Sequence, residues 1–181
     1  MFNTLKKRGL SRNTFGVFAI SWFFQRILRI NSRFKYPVNF TNKITNPKKV
    51  ILFGEGYHTE KCILLNGGIY FGGANGINIH KSCLIANSVK IISGNHDFNS
   101  FDSQAIIESP IVIEENCWIG IGAVILPGVH LKSSTIVGAG SVVTKSFYKG
   151  NIVLAGNPAK IIKEIKKNEI KLYRLQFKAL V

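Results

Sequence analysis

The stretch IVIEENCWIGIGAVILPGVHLKSSTIVGAGSVV, Ile111 to Val143, repeats every six residues. Steps of six pick out Ile113, Ile119, Ile125, Leu131, Val137 and Val143, every one a branched aliphatic. Four residues after each come Cys117, Ala123, Val129, Thr135 and Ser141, small or medium side chains, and the larger Phe147 closes the series. A period of six is neither that of a helix nor the alternation of one long strand. It suits a chain that runs one short strand, turns a corner and repeats. Each aliphatic then points at one axis, and stacked turns bury an apolar column that no single turn could bury alone. Small residues fit corners where backbone packs on backbone, and Ile and Val suit stacked strands. A sheet sandwich with this spacing by chance is the competing reading; six hexads without one polar slip count against it.

The same register runs upstream through Ile79, Ile85 and Ile91, with Cys83 and Val89 in the fourth-on position. Between the two runs stands Gly94-Asn95-His96-Asp97-Phe98, and 22 residues separate Ile91 from Ile113, which is not a multiple of six. A loop over residues 94–110 must therefore leave the repeat, and the chemistry is expected there.

The repeated Ile-Gly-x-x-Ala/Ser pattern resembles the hexapeptide-repeat acyltransferases. Asn116-Cys117-Trp118-Ile119-Gly120, Pro127-Gly128-Val129, the run from Val137 to Lys145 and Gly156-Asn157-Pro158-Ala159-Lys160 are similar to the maltose, galactoside and xenobiotic O-acetyltransferase branch. The resemblance covers roughly residues 50 to 165, and its motifs are specific as a set. It implies an all-β fold, a left-handed parallel β-helix; the handedness comes from the resemblance alone.

The net charge of +15 on 181 residues is unevenly placed. No acid precedes Glu55, whereas eleven Lys or Arg do; residues 55–156 are nearly neutral, and residues 157–181 carry seven basic and two acidic groups. Two cationic ends on a neutral body do not make the basic reading surface that nucleic acid needs. They fit an anionic membrane at one end and a phosphorylated cofactor at the other, with a solvated basic tail as the plain alternative for each. Cys62, Cys83 and Cys117 lack metal-type pairing, and the last two fall at inward positions of the repeat. Buried reduced thiols are expected, hence a cytoplasmic chain, with the inner face of the membrane as a further placement.

Three segments follow. Residues 1–47 form a basic N-terminal segment with an amphipathic helix around Phe15 to Ile30; residues 48–157 form the β-helix with its loop 94–110; residues 158–181 form a C-terminal helix that caps the core. The apolar run of the first helix is about ten residues, too short for a bilayer, which needs about twenty. It packs on its own β-helix or a neighbouring subunit, or it lies on the cytoplasmic membrane surface; the sequence leaves these open. The Gly-rich stretch from Gly54 to Gly76 is expected to supply corners of early turns, since no phosphate-loop pattern sits between a strand and a helix.

Acetyl transfer from a thioester to a hydroxyl needs a base, donors for the oxyanion and a groove for the cofactor. His96 sits where the register breaks, and imidazole titrates near working pH. By resemblance it is the general base, whereas His58, His80 and His130 read as surface histidines. No Ser or Cys stands in a nucleophile motif, so direct attack is expected. Asp97 is a candidate to hold the acceptor; Glu108, the second candidate at the acceptor side, or a backbone carbonyl could orient His96. The resemblance implies acetyl-coenzyme A as co-substrate, no metal, and a homotrimer with sites between neighbouring copies. It puts the Ile121 amide at the thioester oxygen, although relatives often carry a smaller residue there. Trp118 would lie along the pantetheine arm or acceptor mouth, and Ala139 and Thr144 would offer backbone groups to its amides. Lys145, Lys160 and Lys163 would meet the phosphates as point charges without the fork of Arg, and Asn157 and Pro158 would form the turn at the adenine end.

The leading expectation is an acetyl-coenzyme A-dependent O-acetyltransferase for a sugar hydroxyl of a cell-surface polysaccharide or its lipid-linked precursor. A xenobiotic acetyltransferase is the rival within the same chemistry. A β-helical carbonic anhydrase needs three histidine ligands, and no second histidine lies near His96. A non-catalytic β-helix scaffold is the remaining class; it predicts that His96→Ala changes nothing measurable.

Overall fold

The computed structural model describes residues 14–96, 105, 106, 109–166 and 169. Three parallel sheets take the strands in rotation. The first holds Lys43–Thr45, Tyr70–Gly72, Lys90–Ile92, Val124–Ile125 and Val142–Val143; the second holds Val50–Phe53, Ile77–His80, Ile111–Ile113 and His130–Leu131. The third holds Leu84–Ile85, Trp118–Ile119, Thr135–Val137 and Ile152–Gly156, with Ala159–Glu164 at its edge. From Ile77 the chain visits the second, third and first sheets in that order and then begins again.

The hexad explains this rotation. Three hexads make one circuit of eighteen residues, and the strand partners stand at that interval: Val112 with His130, Trp118 with Ile136, Val124 with Val142. Each aliphatic of the series faces the common interior, where Ile113, Ile119, Ile125, Leu131 and Val143 are 0% exposed. Cys117, Ala123, Val129, Thr135 and Ser141 are buried beside them. Removing these chains from water supplies the main stabilising term, at ~25 cal/mol per Å² of apolar surface.

Across the 94–110 loop the partners are thirty-four residues apart: Ile77 with Ile111, Leu84 with Trp118, Lys90 with Val124. The excess of sixteen is the same on all three sheets, so the loop leaves at one corner and the circuits on either side stay stacked.

The sheets extend beyond the expected limits of residues 48–157. Lys43–Thr45 pairs with Tyr70–Gly72, so the stacked body begins before residue 48. At the other end the expectation of a helix over 158–181 is corrected: Ala159–Glu164 is a strand, antiparallel to Ile152–Gly156. The last strand of a stack leaves an open row of backbone donors and acceptors. Here the chain turns at Asn157–Pro158, a cis peptide, and pairs back onto that edge. Residues 167, 168 and 170–181 lie outside the described residues.

Among the described residues two α-helices flank the stack. His58–Leu65 lies inside the Gly-rich stretch, where corners alone were expected. It sits over the start of the third sheet: Asn66 Nδ2 donates to Ile85 O at 2.6 Å, and Thr59 Oγ1 to Cys83 O at 3.0 Å. The N-terminal helix spans Phe15–Arg26.

Candidate active site

The first sheet has two edges, and the candidate residues divide between them. At its edge with the third sheet, Gly120 N donates to Val137 O and Gly140 N to Ile121 O, both at 2.8 Å. Gly156 N reaches Ser141 Oγ at 3.2 Å. Ile121, Ala139 and the Asn157–Pro158 turn thereby line one edge on successive circuits. Gly120 lets the circuits close up: a Cβ there would stand 2.7 Å from Ala139 N. Ile121 is 55% exposed and Ala139 is exposed. Among the described residues neither amide has an acceptor. Two amide donors on exposed residues of one edge can hold carbonyl groups of an extended ligand, or an oxyanion.

Trp118 is half-buried on the third sheet, two residues before that edge, with Leu84 and Ile136 as its strand partners. Its outward placement leaves the interior column to the aliphatics.

At the other edge of the first sheet the chain leaves toward His96. Ser93 is buried and anchors the exit: its Oγ donates to Gly72 O at 2.8 Å and accepts from Asn75 N at 3.0 Å. Gly94 follows, where a Cβ would meet the Ala74 Cβ at 2.7 Å. Asn95–His96 then pairs with Ala105–Ile106 as an antiparallel hairpin, His96 opposite Ala105. His96 is exposed, its backbone N–H donates to Asn95 Oδ1 at 3.0 Å, and no described residue hydrogen-bonds its ring. The candidates Asp97 and Glu108 lie outside the described residues.

Thr144 and Lys145 belong to this second edge, since Leu126 N donates to Val143 O at 3.0 Å and Ile91, Ile125 and Val143 stack in order. Both are exposed, and Lys145 Nζ lies 5.9 Å from the Phe147 ring centroid. Lys160 and Lys163 sit on the terminal antiparallel strand. Lys163 pairs with Glu169 at 3.1 Å, whereas among the described residues Lys145 and Lys160 have no carboxylate partner. The structure brings together Ile121, Ala139 and Asn157, and sets His96, Thr144 and Lys145 at the opposite edge of the same sheet.

One cluster escaped the sequence reading. His130 Nε2 and Lys132 Nζ meet Glu114 Oε1 at 2.9 and 3.0 Å, and Ser133 N donates to Oε2 at 3.2 Å. Partial burial pushes the Glu114 carboxyl up, but the bonds from Lys132, His130 and Ser133 outweigh it and hold it below its usual range. The signal was available: Glu114 and Lys132 are opposite charges one circuit apart. A carboxylate shared by a lysine and an imidazole on an outward sheet face is an ion-pair cluster, which ties neighbouring circuits.

Comparison with known proteins finds relatives of this chain. The family description "Bacterial transferase hexapeptide (six repeats)" matches residues 110–145. A putative acetyltransferase of Dictyostelium discoideum is 42% identical over 115 residues, 62% of this chain and 60% of that protein. A putative colanic acid biosynthesis acetyltransferase of Escherichia coli K12 is 36% identical, over 67% of this chain and 62% of the relative. Galactoside O-acetyltransferase of Escherichia coli K12 is 30% identical over 139 residues, 76% of this chain and 68% of that enzyme. Among solved structures, a galactoside acetyltransferase in complex with coenzyme A superposes with a TM-score of 0.52 at 31% identity, over 56% of this chain and 52% of the other. The chain spans about three-fifths of the length of the first curated relatives it matches.

Proposed function

This chain belongs to the hexapeptide-repeat acetyltransferase family, and from that premise we propose that it transfers acetyl from acetyl-coenzyme A to a sugar hydroxyl. The three-sheet rotation is, in this proposal, a left-handed parallel β-helix, the architecture that the resemblance implies. The observation that carries the activity is the placement of His96: an exposed imidazole on a short hairpin, held out from a rigid edge by Ser93 and Gly94.

In the proposed reaction an unprotonated His96 nitrogen takes the proton of the acceptor hydroxyl. The oxygen attacks the thioester carbonyl, a C–O bond forms, and the Ile121 amide donates to the resulting oxyanion. On collapse the C–S bond breaks, and the His96 imidazolium returns its proton to the departing thiolate. Thr144 and Ala139 offer backbone groups to the pantetheine arm, and Trp118 flanks it. Lys145, Lys160 and Lys163 face the phosphates, with Asn157–Pro158 at the adenine end. The unengaged amides of Ile121 and Ala139 and the exposed Lys145 and Lys160 support this fit. Asp97 and Glu108 are assigned to the acceptor side.

His96 and Ile121 stand at opposite edges of one sheet, so a site made between neighbouring copies joins them; this favours the homotrimer. The acceptor class is a polysaccharide or its lipid-linked precursor, and the name of the colanic acid relative supports it. Release of free thiol from acetyl-coenzyme A, measured against free sugars, lipid-linked glycans and antibiotics, tests the reading. Turnover should require a carbohydrate acceptor, and His96→Ala should lower kcat by about 10² or more with the melting temperature unchanged. An unchanged rate in that variant removes the mechanism, and turnover with antibiotics alone transfers the chain to the xenobiotic class.

A further inference from the structure

The N-terminal helix is apolar on the outside. It buries Ser21 and Gln25, and Gln25 Nε2 donates to Phe34 O at 3.2 Å and Tyr36 O at 2.9 Å. These bonds fix the rotation of the helix about its axis. Its exposed positions then carry no polar side chain except Arg26. Ile20, Trp22 and Phe23 are 49%, 47% and 46% exposed, and Ile27 and Leu28 continue the apolar surface past the last turn. Phe24 packs on Phe40 at 5.0 Å between centroids, and Phe40 is itself exposed. Scattered exposed apolar residues are ordinary, whereas a contiguous aromatic face marks a contact.

The charges around it have one sign. Arg26, Arg29, Arg33 and Lys35 are all exposed, and no acid occurs before Glu55. Twelve residues at 1.5 Å each span only about 18 Å, against about 30 Å for a bilayer core. No described helix is long and apolar enough to cross a membrane.

We propose that this face docks on an anionic lipid surface. The helix lies in the plane of the headgroups, Trp22, Phe23, Ile20 and Ile27 enter the acyl boundary, and the flanking arginines meet lipid phosphates. A second copy of the chain fits less well: in a ring of copies this face would meet the neighbour's body, and residues 55–156 are nearly neutral and offer no field of opposite charge. A lipid surface supplies both an apolar bed and a field of negative charge. Docking of this kind stands apart from acetyl transfer, and vesicle binding and thiol release are separate readouts.

The test is sedimentation of the full chain with vesicles of phosphatidylcholine alone and of phosphatidylcholine mixed with phosphatidylglycerol, at low and high salt. Binding should favour the anionic vesicles by about tenfold or more and weaken with salt. Trp22→Asp with Phe23→Asp should lower it by about tenfold or more. Brominated acyl chains should quench a part of the tryptophan emission that Trp22→Phe removes. Arg26→Glu with Arg33→Glu gives an independent variant, which should lose the preference for anionic lipid. Failure to sediment with either vesicle, or equal binding by the aspartate double variant, overturns the proposal. So does a drop in oligomer mass in that variant without vesicle binding by the parent, which would assign the face to a second copy.

Discussion

Gly120→Ala tests the stacking on which the site is built. A Cβ at Gly120 would stand 2.7 Å from Ala139 N, 2.7 Å from Val137 O and 3.0 Å from Gly138 C. All three are backbone atoms of the next circuit, so no rotamer change can relieve the contact. Gly120 is not among the residues of positive φ, and the constraint is therefore close approach rather than backbone conformation. A methyl group must lift one circuit from the other and stretch the 2.8 Å bonds from Gly120 N to Val137 O and from Gly140 N to Ile121 O. Overpacking costs about 1–3 kcal/mol, here toward the upper end, and one weakened backbone bond adds about 1 kcal/mol. The expected loss is about 3–4 kcal/mol, or about 6–16 °C in Tm for a chain of this size. Gly122→Ala is the control: nothing lies within 4 Å of its Cβ, but its φ is +66°. It should lose only the left-handed strain of about 1–2 kcal/mol. Thermal and urea denaturation of both variants and the parent give the ranking. A Gly120→Ala melt within about 2 °C of the parent, or milder than that of Gly122→Ala, would refute the close contact between circuits.

Ile119→Ala empties a fully buried position in the aliphatic column; it should cost about 2–5 kcal/mol in urea denaturation, and a loss under 1 kcal/mol would contradict close packing there. Glu114→Gln removes the carboxylate that Lys132, His130 and Ser133 hold below its usual value of 4.5. A lowered folded pKa stabilises above the unfolded pKa and is lost as pH falls through the folded one. The parent should therefore exceed Glu114→Gln by about 1 kcal/mol at neutral pH, with the gap closed once acid protonates the carboxyl; a gap that persists there would sink this assignment. Cys62, Cys83 and Cys117 are free and buried, and burial pushes the Cys62 and Cys83 thiols up. An aromatic disulfide reagent should find no rapid thiol in the native protein and all three in denaturant; a fast native reaction would place a cysteine at the surface.

Sequence was informative wherever a residue has a stacked neighbour. The aliphatics of the hexads, Ile113 through Val143, had to be inside because every circuit repeats the same demand, and they are. Outward positions obey the same period but carry no hydrophobic signal. His130 therefore read as an ordinary surface histidine, although Glu114 and Lys132 were spaced one circuit apart. The ends were harder for a different reason. Ile161, Ile162 and Ile165 among lysines fit a helical face, and only the open edge of Ile152–Gly156 decides for a strand. The His58–Leu65 helix was hidden by the glycines around it, since no repeat compared it with a neighbour.

The loop shows where this logic ends. Its position follows from arithmetic: 22 residues between Ile91 and Ile113 cannot be hexads, and the common thirty-four-residue offset between Ile77 and Ile111, Leu84 and Trp118, and Lys90 and Val124 gives the insertion its size. Its anchoring is local chemistry that no period announces. Ser93 occupies a strand-end position, yet its hydroxyl bonds to Gly72 O and Asn75 N and so determines the direction in which the chain departs. Gly94 then passes Ala74 too closely for any side chain. These two residues, rather than the hexads, hold His96 in solvent. A histidine inside the repeat, such as His130, is instead drawn into a bond with the circuit beside it.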